Sequence, residues 1–139
     1  MEKRFVDIAP LYFKEKGYSC SESIARAAVD LGLADESFVS VATSFSGGMG
    51  SGCLCGAVAG AQMGIGLLFG KYKDNTARIK AKEFYKRFID IHKVTCCKVL
   101  TKNFDDFHGA DRKVHCVNMV YDCSKILDQI LIENKIVVK

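Results

Sequence analysis

The stretch Ser46-Gly47-Gly48-Met49-Gly50-Ser51-Gly52-Cys53-Leu54-Cys55-Gly56-Ala57-Val58-Ala59-Gly60-Ala61-Gln62-Met63-Gly64 decides how this chain folds. Its first seven residues form a flexible, glycine-rich turn. Beyond the turn, from Cys55, the stretch reads as a helix with glycine at every fourth position. Glycine in a helix interior costs ~1 kcal/mol relative to alanine, so a repeated glycine needs a reason. Gly56, Gly60 and Gly64 line one face and let a second helix approach closely, as in small-xxx-small packing. The apolar run continues over residues 57–69, too short to span a bilayer, which takes about 20 residues. It therefore reads as the buried central helix of a helical protein.

Working outward, no segment alternates as a strand should, and the periodicity is helical nearly throughout. Upstream, a short helix is expected over residues 35–44. Before it, Ser19-Cys20-Ser21-Glu22 is a capping box in which Ser19 caps and Glu22 reaches back. The helix it opens carries Cys20, Ile24, Ala27, Ala28 and Leu31 on one stripe and stops at Gly32. A first helix is expected over residues 2–16, with Phe5, Ile8 and Tyr12 on its stripe, Gly17 as its stop, and Pro10 kinking it or shifting its start. Downstream, Asn75 is placed to cap a long amphipathic helix with Ala77, Ala81, Phe84, Phe88 and Ile91 on one face. Lys80, Lys82, Lys86 and Arg87 lie on the other. A short helical turn follows Thr95, a loop occupies residues 104–109, and a last helix spans 111–134 with Cys116, Val120, Cys123, Leu127 and Ile130 on its stripe. The expected fold is all-α, a single compact domain over residues 1–139 with about five to seven helices around the glycine-rich one.

With 139 residues, 49% hydrophobic and 26% charged, the composition is that of an ordinary globular domain, not a disordered chain. Residues 71–102 hold ten of the 20 Lys and Arg side chains but only Asp74, Glu83 and Asp90 as acids. This bias reads first as one solvated helix face, and alternatively as a docking patch for an acidic partner protein. No motif accompanies it that would indicate nucleic-acid binding. Seven cysteines are the compositional anomaly. The N-terminus does not read as a secretory signal, so a reducing cytoplasm is expected, where cysteine clusters bind metal or do redox work more often than they form structural disulfides.

Four helix starts carry cysteines. Cys20 follows the capping serine, Cys55 lies where the glycine turn enters the central helix, Cys96 and Cys97 follow Thr95, and Cys116 falls early in the last helix. A helix N-terminus presents unpaired N–H groups and partial positive charge, which favours a thiolate and lowers its pKa below the usual ~8.5. Convergence of these starts would create a pocket for several thiolates, or for a cluster carrying their charge. Cys123, mid-helix on an apolar stripe, reads as a core residue. Cys53 is ambiguous, since Cys53-x-Cys55 is a spacing found in both metal and thiol redox sites. Cys96 and Cys97 point about 100° apart on a helix, so one of the two is expected to join the site. There is no C-x-x-C, hence neither a thioredoxin-like motif nor a zinc ribbon. His92, His108 and His115 read as surface residues, with His115 beside Cys116 an alternative proton carrier. The glycine turn can cradle an anion, but no Lys-Ser/Thr follows it as in a nucleotide P-loop.

These residues carry a resemblance. Gly17-Tyr18-Ser19-Cys20, then Gly47-Gly48-Met49-Gly50 followed by Cys55-Gly56-Ala57-Val58-Ala59-Gly60, then Cys97-Lys98-Val99-Leu100 and finally Cys116 resemble the pattern of the C_GCAxxG_C_C family of redox-active proteins. The resemblance covers essentially the whole chain. It implies that Cys20, Cys55, Cys97 and Cys116 are the functional set, with Cys53, Cys96 and Cys123 extra to the pattern. Cys53 or Cys96 could then stand in for a neighbour. The expected function is redox chemistry at these four cysteines, by electron transfer or thiol–disulfide exchange, in an oxidoreductase or electron carrier. The named alternative is an iron–sulfur cluster held by the same four, with Cys53 and Cys96 as further candidate ligands. Further behind stand a zinc site on the same cysteines and a non-catalytic interaction protein. A redox partner protein is expected, and the glycine face could serve a homodimer or an internal contact.

Overall fold

The computed structural model describes residues 3–70, 74–100 and 110–136, without the side chains of Lys98 and of residues 110–115. The helices are α1 (Phe5–Glu15), α2 (Cys20–Asp30), α3 (Ser37–Thr43), α4 (Gly56–Phe69), α5 (Thr76–His92), α6 (Cys97–Leu100) and α7 (Ala110–Glu133), with a tight turn at Gly48–Gly52 before α4. Among the described residues there is no strand, only one isolated antiparallel bridge between Leu54 and Cys96. The fold is an all-α bundle.

Helix boundaries follow local chemistry where that chemistry is close in sequence. At the start of α2 the Ser19 hydroxyl accepts from the Glu22 amide (3.2 Å) and the Glu22 carboxylate accepts from the Ser19 amide (2.9 Å), the reciprocal capping box. At its end Gly32 takes φ +77°, and the amides of Gly32 and Leu33 donate to the carbonyls of Val29 and Ala28. This is the Schellman arrangement, which needs the left-handed residue that glycine supplies.

Helices α1 and α5 differ from expectation in detail. Helix α1 starts at Phe5, not at residue 2: the Asp7 carboxylate accepts from the Arg4 amide (2.9 Å), and a second carboxylate comes from the other end of the chain. Both carboxylate oxygens of Asp128, on α7, accept from the amides of Phe5 (2.9 Å) and Val6 (3.0 Å). Pro10 then sits inside the helix, withholding the N–H that the Val6 carbonyl would otherwise accept. On α5, Asn75 makes no side-chain cap. The Asp74 carboxylate accepts from the Thr76 amide instead (2.8 Å). The α5 stripe is buried at Phe84 and Phe88, but Ile91 is 55% exposed, close to the helix end at Lys93.

The core is built from Phe5, Ile24, Ile65, Phe84, Phe88, Val120, Leu127 and Ile130, all essentially inaccessible. Each such large side chain contributes about 1.5–3 kcal/mol of transfer free energy. Helix α4 packs on α2, α5 and α7, and α2 packs in turn on α1, α3 and α7. Helix α4 is thus a central helix of the bundle, with α2 as its main partner. The glycine face is used in this internal contact. A methyl at Gly60 would stand 3.0 Å from the Ser21 carbonyl oxygen and 3.3 Å from Ile24 Cβ, both on α2. No helix among the described residues is long and apolar enough to cross a membrane.

Candidate functional site

Cys20 is the first residue of α2, seated on the Ser19 cap. That cap is tied to two neighbours. The Ser46 hydroxyl, from the glycine turn, donates to Ser19 Oγ (2.7 Å), and the Thr43 hydroxyl, from α3, donates to the second Glu22 oxygen (2.7 Å). Burial alone would raise the Glu22 pKa, but the Ser19 amide and Thr43 hydroxyl hold it below the ordinary value. Gly56, at the start of α4, completes the seat, since a methyl there would overlap the Cys20 sulphur and lie 3.1 Å from the Phe45 carbonyl oxygen. The Cys-Gly pair at the head of α4 thus has a steric reason: Cys20 needs the space that a side chain at position 56 would fill.

Cys55 caps α4 and is 5% exposed. Its thiol is pushed up to about 12, first by burial and then by the neighbouring Cys20, while the amides of Val58 and Ala57 pull the other way. This corrects the expectation of a lowered pKa at that helix start. Partial charge at the helix end is worth about 0.3–1 kcal/mol in most settings, and removal of a thiolate from water outweighs it.

The third cysteine is placed by a contact that no local pattern announces. Residues on either side of Leu54 pair with residues on either side of Cys96. The Cys55 amide donates to the Thr95 carbonyl (2.8 Å) and the Cys97 amide donates to the Cys53 carbonyl (3.1 Å). Thr95 therefore serves as a bridge acceptor, and α6 begins at Cys97. The bridge sets Cys97 inward, 7% exposed, while Cys96 turns to the Gly52 carbonyl, its sulphur 3.6 Å from that oxygen. Gly48 sits between the two partners, since a methyl there would come within 2.7 Å of the Cys53 nitrogen and 2.8 Å of Cys97 Cβ.

Cys20, Cys55, Cys97 and Cys116 all line one cavity of about 330 Å³, together with Phe13, Tyr18, Leu100 and Met119 as apolar walls and Ser19, Glu22 and Ser46 as polar ones. Cys116 reaches it from two turns inside α7, not from the first turn. Cys53 is exposed, Cys96 half-buried, and neither lines the cavity. Cys123 is fully buried in the core cluster. None of the seven cysteines is in a disulfide. Among the described residues no three His, Cys, Asp or Glu side chains are grouped so as to hold a metal ion. The four thiols share the wall of one cavity.

His92 is not a simple surface residue. Its Nε2 lies 2.8 Å from an Asp122 oxygen and its ring packs on Phe88 (centroids 4.6 Å apart), joining α5 to α7. The loop at 104–109 with His108, and the side chain of His115, fall outside the described residues. Sequence reasoning missed the bridge, the Glu22–Thr43 link and the apolar walls. Only Glu22 carried a signal, as the last residue of the capping box.

No match was found among curated proteins or among solved structures. Residues 18–130, most of the chain and all of the cavity's cysteines, match the family described as "Putative redox-active protein (C_GCAxxG_C_C)". A redox role is the general property that this description carries, and on the extent of the match the chain belongs to the C_GCAxxG_C_C family.

Proposed function

We propose that the protein carries out thiol–disulfide exchange on a small disulfide, with Cys20 as the attacking thiol and Cys55 as the resolving one. The observation that carries this reading is the seating of the Cys20 sulphur against Gly56, next to Cys55, in the wall of one cavity. Cys20 is half-buried and Cys55 is buried, both in the cavity wall. The Cys20 thiolate attacks one sulphur of the substrate, and the first substrate thiolate leaves and takes up a proton. Cys55 loses its proton and attacks Cys20 Sγ, which closes a Cys20–Cys55 disulfide and expels the second substrate thiolate. Two electrons and two protons pass from the protein to the substrate. Capture of Cys20 as a mixed disulfide also removes its negative charge, one of the causes holding the Cys55 thiol protonated. Resolution is therefore favoured once attack has occurred. A cavity of about 330 Å³ is at the small end of ligand pockets, which suits a low-molecular-weight disulfide.

The test is oxidation of the reduced protein with excess bis(2-hydroxyethyl) disulfide, with thiol counting and non-reducing peptide mapping of the product. Wild type should lose two thiols reversibly and yield a Cys20–Cys55 linked peptide. Cys20→Ser should abolish the reaction, and Cys55→Ser should stop it at a mixed disulfide on Cys20. Iron with acid-labile sulfide in anaerobically isolated protein, lost in Cys20→Ser, would replace this reading with a cluster-bearing electron carrier. Thiols inert to the disulfide, in metal-free protein, would leave a helical interaction protein.

A further inference from the structure

We infer that Cys53 and Cys97 form a second exchange pair, which connects the cavity to a protein dithiol at the molecular surface. The inference rests on the dithiol reading above and goes beyond it, since the family pattern does not require Cys53 and the exchange within the cavity does not use it.

The geometry is that of the bridge. Leu54 faces Cys96, so Cys53 and Cys97 are the next opposed residues, held together by the Cys97 N–H donating to the Cys53 carbonyl (3.1 Å). The Cys53 N–H itself turns back to the Gly48 carbonyl (2.9 Å), so one backbone bond joins the pair; residues joined by one such bond stand about 5–6 Å apart at Cα, within the window of about 4.4–6.8 Å that a disulfide spans. Gly48 lies against the Cys53 backbone nitrogen and Cys97 Cβ, where a side chain would force the two segments apart. The two differ in surroundings. Cys97 lines the cavity and is buried, whereas Cys53 is exposed and does not line it. Met49, on the turn that leads into Cys53, and Val99, on α6, are both exposed, on elements that pack together. This apolar surround suits a protein face, while a protein is too large to enter the cavity.

Each transfer is a balanced thiol–disulfide exchange. The Cys97 thiolate attacks Cys55 in the Cys20–Cys55 disulfide, and Cys20 leaves as a thiolate. The Cys53 thiolate then attacks Cys97, closes Cys53–Cys97, and releases Cys55. An external protein dithiol attacks Cys53, Cys97 leaves, and the second thiol of the partner closes on its first and frees Cys53. The partner is oxidised to a disulfide, and its two electrons and two protons restore two thiols in this protein.

To test this, the full chain is oxidised with bis(2-hydroxyethyl) disulfide, freed of oxidant, and re-reduced either with thioredoxin as a protein dithiol or with dithiothreitol. Peptide mapping through the time course should show a Cys53–Cys97 link forming after Cys20–Cys55. In Cys53→Ser the ratio of the thioredoxin rate to the dithiothreitol rate should fall on the order of tenfold. Cys96→Ser, which alters the neighbouring thiol turned to Gly52, should keep both the link and the ratio. A Cys20–Cys55 disulfide with Cys53 remaining a thiol throughout, or an unchanged ratio in Cys53→Ser, overturns the relay and leaves the cavity chemistry standing. Absence of Cys20–Cys55 itself overturns both.

Discussion

The two halves of α4 each carry two glycines yet meet opposite surroundings. In the first half, Gly56 and Gly60 lie hard against α2, where an added methyl would overlap the Cys20 sulphur or press on the Ser21 carbonyl. In the second half, Gly64 has only Leu127 Cδ2 at 3.6 Å, and Gly66 has no atom within 4 Å. The first half, headed by Cys55, is one wall of the cysteine cavity; the second is ordinary core and surface. A glycine repeat thus marks close approach only where a neighbour in fact closes in.

The largest expected effect belongs to Cys55. With its thiol at about 12 against an ordinary 9.0, its thiolate fraction at pH 8 is about a thousandfold below that of an unperturbed cysteine. Pulsed alkylation of the reduced protein should therefore leave Cys55 unlabelled at pH 8. Labelling should rise about tenfold per pH unit as the solution becomes more alkaline. The same shift has a stability consequence. A thiol pKa raised by folding favours the unfolded state once pH rises above the unfolded value of 9.0, because only the unfolded chain then ionises freely; stability is unaffected below that value and declines between 9.0 and about 12. Rapid labelling at pH 8 would show that the head of α4 is not the closed region its burial implies.

Gly56→Ala comes next. Overpacking at a site with a backbone carbonyl on one side and a sulphur on the other should cost about 1–3 kcal/mol, read as a lower denaturation midpoint at constant m value. The displaced Cys20 should also lose its link to Cys55 on oxidation. Stability equal to wild type would mean that α2 and α4 are not as close as described. Gly60→Ala should cost less, on the order of 1 kcal/mol, because the strain against Ser21 is partly offset by the better helix propensity of alanine. Smallest are the changes in the second half. Gly66→Ala, in open space, should stabilise by up to ~1 kcal/mol, and Gly64→Ala should be neutral to slightly stabilising. A loss at Gly66 as large as that at Gly56 would erase the distinction between the halves.

The features legible in the sequence share a short range. The Ser19–Glu22 box, the Gly32 stop, the buried stripe of Val120, Cys123, Leu127 and Ile130, and the glycine face of α4 each depend on residues a few positions apart. Features that escaped were set by residues far apart in sequence. At the start of α1 the near contact is Asp7 on the Arg4 amide, but the carboxylate that takes the Phe5 and Val6 amides is Asp128, which no residue near the helix start announces. The inward choice of Cys97 over Cys96 is made by pairing with Cys53–Cys55, and two three-residue segments carry no periodicity long enough to announce a bridge.

The sequence by itself therefore determined the helices, most of their ends, and a family pattern of four cysteines distributed over separate elements, because helix formation and capping are governed by contacts within a turn or two. Only the tertiary structure decided that Cys20, Cys55, Cys97 and Cys116 share one cavity, and that Cys55 is closed off with its thiol protonated. Those outcomes depend on desolvation and on packing between helices distant in the chain, and no local spacing encodes how much water a side chain will keep.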